Sequence, residues 1–237
     1  MTTIPILHHS YTPPPIPLRP SSAAMLAAMT SPDHASLSTQ SASRFVLWVD
    51  GVGAFLLCLG DRVTIGGPAD PEKQADVSLL ANLSRRHATF VRSGEGYLLE
   101  PIGPTWVGHR QISEATPLAS GYDIRMGNNV HLKFRLPSVL SGTAVLEFVS
   151  DHRPVVSVDG IVMMEDNCLL GPGRDQHVIC PGWTESLVLF RRNGQFWCKS
   201  RNPVSVCGKP SPEGGPIHPG DVVANGAEVR FRIEELT

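Results

Sequence analysis

The chain has no long hydrophobic run. Among its 237 residues the longest purely apolar stretch is Ala23 to Met29, far below the roughly 20 residues that a bilayer crossing needs, so no membrane partner is expected. Like charges never cluster: 20 Lys and Arg stand against 22 Asp and Glu, for a net charge of −2. A polyanion needs a concentrated basic surface, so nucleic acid is not an expected partner either. No CxxC pair occurs, and the cysteines number five, an odd count. Cys58, Cys168, Cys180, Cys198 and Cys207 therefore read as small core or near-core residues in a reducing compartment. His177 and Cys180 stand three apart and supply half a metal site at best, so neither metal nor cofactor is expected. The opening MTTIPILHHSYTPPP has no basic start and no unbroken apolar stretch. It does not read as a secretion signal, which points to a cytoplasmic location.

Glycine and proline, by contrast, are abundant, at 22 and 21 residues. Residues 1–43 hold seven of the prolines with many Ser, Thr and Ala, and read as a disordered tail. Within it Pro14, Pro17 and Arg19 fit a PxxPxR ligand, although a plain spacer accounts for them as well. From Arg44 the pattern changes to short apolar or alternating runs broken every eight to twelve positions by Gly, Pro, Asn or Asp. Such a rhythm marks an all-β sandwich. The runs expected as strands include Phe45 to Val49, Ala54 to Leu59, Arg62 to Ile65, Ala88 to Arg92, Tyr97 to Glu100, Val130 to Arg135 and Ala144 to Val149.

The second half repeats this order. Gly66 answers to Gly171, Gly94 to Gly194, Asp123 to Asp221, and VHLKFR (130–135) to the closing EVRFRI (228–233). Val155 to Val158 is expected to open the second copy. Tandem antiparallel sandwiches over 44–150 and 151–237, divided near SDHRP, are the simplest account.

The first copy carries VTIGG (63–67), NLSRRHATF (82–90), GYLLEP (96–101), PTWVGHRQI (104–112) and LASGYDIRMGNNVHLKF (118–134). In this order and spacing they resemble the forkhead-associated (FHA) domain, a β-sandwich whose loops at one end bind phosphothreonine peptides. The resemblance spans about 44–150, and SRRH is its most specific element. It implies that Ser84 donates to phosphate and that His87 braces the loop from within, while Gly66 shapes the first turn. A phosphothreonine brings about −1.5 to −2 charges and three acceptor oxygens, so hydroxyl and guanidinium donors belong beside it. Arg85 and Arg86 follow Ser84 directly.

The chain departs from the pattern at two contacts. Where the family reads IGR, Gly67 stands in place of the arginine. Where it reads NGT, the chain has Gly103, Pro104 and Thr105. A hydrogen bond to a charged group contributes roughly 1.5–3 kcal/mol and a neutral one about 1, so the two losses remove on the order of 2.5–4 kcal/mol. At about 1.4 kcal/mol per factor of ten, a micromolar complex would move towards millimolar. Retained phosphate recognition then requires Arg85, Arg86 or Arg110 to supply the missing guanidinium. The second copy keeps LLGPGRDQH (169–177) but has WTES where SRRH would stand, and it reads as a companion domain. Its VCGK (206–209) resembles the family's VNG turn, with cysteine in place of asparagine.

A non-catalytic protein-interaction module is the expected function. Its candidate binding residues are Ser84, Arg85, Arg86, Thr105 and Arg110, and its partner is a protein or phosphothreonine peptide. The chain's own N-terminal tail, with Thr2, Thr3, Thr12, Thr30 and Thr39, is a further candidate partner. The alternative is a structural tandem sandwich that self-associates through edge strands. An enzyme is not expected: Ser84 and His87, three apart at the entry to a strand, do not aim at each other, and no acid completes a triad.

Overall fold

The computed structural model describes residues 43–138, 141–226 and 228–236. The Pro-rich stretch and the tail threonines named above lie outside them. Among the described residues the regular structure is all strand but for one 3-10 turn at Pro71–Lys73.

Eleven strands come from the first half: β1 Arg44–Val49, β2 Gly53–Cys58, β3 Arg62–Gly66, β4 Val77–Ser78, β5 Ala88–Ser93, β6 Gly96–Pro101, β7 Thr105–Val107, β8 Arg110–Ile112, β9 Thr116–Leu118, β10 Asp123–Met126 and β11 Val130–Arg135. Eleven more follow: β12 Ala144–Phe148, β13 Gly160–Met163, β14 Asn167–Gly171, β15 Val178–Ile179, β16 Leu187–Arg192, β17 Gln195–Ser200, β18 Val204–Val206, β19 Lys209–Ser211, β20 Gly215–Ile217, β21 Val222–Asn225 and β22 Val229–Glu235. One five-stranded sheet runs β4-β3-β5-β6-β9, the other β15-β14-β16-β17-β20. Adding eleven to each strand of the first gives the second, so the repeat read from glycines and closing strands is a repeat of topology.

The remaining twelve strands form one sheet, in the order β19-β18-β21-β22-β1-β2-β13-β12-β11-β10-β7-β8. Its middle is an exchange. β1 pairs with β22, the last strand of the second set, and β12 pairs with β11, the last strand of the first. β2 and β13 then meet in parallel at the centre, Leu56 beside Ile161.

The sequence dictates this placement. RFVLWV and GAFLLC are near-continuous apolar runs, as expected of strands buried on both faces. Val46, Leu56, Leu146 and Ile161 face a core with Phe90, Leu99 and Phe134. Their neighbours Phe45, Leu47, Leu57, Val145 and Val162 face a second core with Leu170, Leu189 and Phe231. The two five-stranded sheets therefore cover opposite faces of the central strands.

By strand order the second set opens at β12, ahead of Ser150. The stretch Val155 to Val158 forms no strand. It instead seals an edge: the Val155 amide donates to Ser78 O (2.8 Å), and Leu79 bridges Pro154. Three other edge strands carry proline, Pro117 in β9, Pro210 in β19 and Pro216 in β20, which removes a donor from the exposed ladder.

Candidate functional site

Strand β3 ends at Gly66 and is followed by Gly67 because the β4–β5 loop lies against both. A Cβ at Gly66 would collide with the Arg85 carbonyl, and one at Gly67 would stand 2.5 Å from the Leu83 carbonyl oxygen. The Gly67 amide donates to Ser84 O at 2.9 Å, fixing the loop over the turn.

His87 holds the same loop from inside. The ring is buried, and its Nδ1 accepts from the Ser84 amide (3.3 Å) while Nε2 meets Pro104 O (3.0 Å). Since a carbonyl only accepts, the ring proton sits on Nε2. The His87 carbonyl accepts from the amides of Ile102 and Gly103, and Pro104 O also accepts from the Gly127 amide. One histidine thus joins the β4–β5, β6–β7 and β10–β11 loops into a single rim. Both ring nitrogens are engaged by backbone, so neither reaches the Ser84 hydroxyl.

Ser84, Arg85 and Arg86 are exposed and line an open groove of about 620 Å³ with Glu72, Lys73 and Gln74. Ser84 is pinned through its amide and carbonyl, and among the described residues its hydroxyl has no hydrogen-bond partner. The side chains of Arg85 and Lys73 are likewise without an ion pair. Arg86 lies back across the sheet, its Nη2 donating to Thr64 Oγ1 at 3.4 Å; that hydroxyl also meets Thr89 Oγ1 at 3.1 Å. The groove carries three cations against one carboxylate.

Two of the residues singled out from sequence stand apart from this group. Thr105 is fully buried, its hydroxyl donating to Gly103 O at 2.9 Å, so it shapes the β6–β7 loop from within. Arg110 pairs with Val107 at the far end of the β7–β8 hairpin, whereas Thr105, at the rim, pairs with Ile112. Two residues of strand, roughly 7 Å, carry Arg110 away from the Ser84 loop. Gly103, where the asparagine would stand, is filled by its neighbour: a Cβ there would lie 2.5 Å from the His87 ring. Sequence reasoning did not single out Lys73. Its only signal was a cation in the loop between the glycine turn and SRRH.

Residues 60–127 match the FHA domain family. The stretch runs from the start of β3 through β10, and so contains the β4–β5 and β6–β7 loops of the rim and Gly127 of the third, but none of the exchanged hairpins. FHA domains are protein-interaction modules, and residues 60–127 are similar to one. Among solved structures, the N-terminal FHA domain from EssC, a component of the bacterial Type VII secretion apparatus, aligns over 82% of this chain and 95% of its own at 13% identity and a TM-score of 0.22. No curated protein matches the chain. Among the described residues, no cluster of three or more His, Cys, Asp or Glu could hold a metal ion, and no helix is long and apolar enough to cross a membrane.

Proposed function

We propose that the Ser84 groove binds a phosphothreonine-bearing segment of a partner protein. The observation that carries this reading is the unpartnered Ser84 hydroxyl beside two unpaired cations, Arg85 and Lys73, in one open groove. A dianionic phosphate with three acceptor oxygens satisfies all three at once. Lys73, from the 3-10 turn, and Arg85 supply the charge that the glycine turn lacks. Glu72 favours partners without an acidic residue beside the phosphate. The four buried thiols stand unpaired in the structure, which supports a reducing, cytoplasmic setting in which Ser/Thr kinases act.

Titration of the whole chain with a phosphothreonine peptide and its unphosphorylated twin tests the proposal. Ser84→Ala removes a bond to a charged group, about 1.5–3 kcal/mol, so the phosphopeptide should bind roughly 10- to 150-fold more weakly. Arg85→Glu should abolish the preference for phosphate. Equal affinity for both peptides, or indifference to both substitutions, would overturn the reading.

A further inference from the structure

The two five-stranded sheets permit a comparison within one chain, because their order and register coincide. On the outward face of the first, Thr64 stands opposite Thr89, and both are buried. They are covered by the 67–76 connection and by Arg86: Asp76 Oδ2 accepts from the Thr64 amide at 2.8 Å, and Arg86 reaches the Thr64 hydroxyl. The equivalent pair in the second sheet is Leu169 opposite Val188. Here the connection spans only 172–177, and both side chains are left half-exposed. A polar pair is covered and an apolar pair is open, the reverse of what solvation alone would select.

The next cross-strand row continues the contrast. Val91 and Leu98 in the first sheet become Phe190 and Trp197 in the second, whose rings stack at 6.4 Å with an interplanar angle of 29°. Charge differs as well. The five strands of the second sheet contain no Asp or Glu but carry Arg191, Arg192 and Lys199. The Arg192 guanidinium lies 5.5 Å from the centre of the Trp197 ring, and Lys199 stands opposite Val188 on the same face. Both are exposed, and among the described residues neither forms an ion pair. In the first sheet Glu100 occupies the place of Lys199 and is paired with Arg62.

We propose that this face docks an extended acidic segment of another protein, one whose carboxylates alternate with aliphatic or aromatic side chains. The apolar side chains cover Leu169, Val188, Phe190 and Trp197, and the carboxylates meet Arg192 and Lys199. Charge complementarity selects the acidic partner, and the open apolar rows select side chains over solvent. A single-stranded nucleic acid would also meet rings and cations, but Leu169 and Val188 give a base nothing to stack on. Two cations are also few for a backbone charged at every nucleotide. The surface is distinct from the Ser84 groove and does not depend on what that groove binds.

Fluorescence anisotropy on the full chain tests this with a fluorescein-labelled dodecapeptide of repeating Asp-Leu-Glu-Phe. Three controls accompany it: the peptide with Lys at its acidic positions, the peptide with Ser at its apolar positions, and a twelve-nucleotide oligothymidine. Only the acidic peptide should bind, and Arg192→Glu combined with Lys199→Glu should weaken it at least tenfold. Both substituted side chains are solvent-exposed, so an unchanged circular-dichroism melt should accompany the loss. Trp197→Thr tests the apolar part separately and should also weaken binding at least tenfold. Binding of the lysine peptide or oligothymidine as tight as that of the acidic peptide would overturn the proposal. So would no binding of the acidic peptide, or full affinity in the charge-reversed chain.

Discussion

A side chain at position 67 would have nowhere to go, because the Leu83 carbonyl oxygen occupies the space where its Cβ would stand. The glycine is the counterpart of a β4–β5 loop that closes directly onto the turn. Gly67→Arg should therefore not restore the contact that the resemblance assigns to this place. Overpacking against backbone typically costs 1–3 kcal/mol, and urea denaturation should show a loss of about that size with no gain in phosphopeptide affinity. Gly103→Asn should behave alike, since its Cβ would meet the ring of His87. These paired clashes explain how much of the site was legible in sequence. Ser84 and His87 stood in a motif with fixed spacing, and their geometry follows from it. Lys73 was not legible, because only the 3-10 turn brings it into one groove with Ser84. The place of Arg110 was not legible either: a two-residue hairpin turn sets it opposite Val107 rather than Thr105.

At the scale of elements, the structure puts one acceptor to the same use in both repeats. Asp76 Oδ2 accepts from the Thr64 amide, and in the second repeat His177 Nδ1 accepts from the Leu169 amide at 2.9 Å. The other His177 nitrogen meets Ser141 Oγ at 3.0 Å, and Arg135 Nη2 donates to its carbonyl at 2.8 Å. Burial, and then the Arg135 charge, lower its pKa from 6.5 to about 4. An unfolded chain thus takes up this proton near pH 6.5, whereas the folded chain resists it until about pH 4. The associated stability is complete above pH 6.5 and is lost as pH falls through that interval. At about 1.4 kcal/mol per pH unit, the loss is on the order of 3 kcal/mol. His177→Asn keeps an acceptor without a titration, so its urea midpoint should fall less than the wild type's between pH 7 and pH 4. Long strands were legible as elements because apolar or alternating runs of four or more residues mark them. The three-residue strands β8, β9, β18, β19 and β20 were not, since pairing rather than pattern defines them. Val155 to Val158 looked like a strand on composition but serves as an edge cover.

For the whole molecule, the apolar residues on the second face of the central strands decide the architecture. In two independent sandwiches Phe45, Leu47 and Leu57 would belong to the first repeat yet point out of its core. Here they are buried against Leu170, Leu189 and Phe231 of the second. The sequence showed the repeat but not the exchange, because a continuous apolar run tells that both faces are covered and not by what. The exchange has a thermodynamic consequence. Leu57 lies in β2 and is fully buried, so Leu57→Ala should cost about 2–5 kcal/mol. The cost should fall on both repeats, because neither core closes without the shared strands. Hydrogen exchange of the β5 and β16 amides should accelerate together by the same factor, and calorimetry should show one transition at a lower temperature. Retained protection in β16 while β5 loosens would mean that the repeats open separately, and the central strands would then be a contact between two folds.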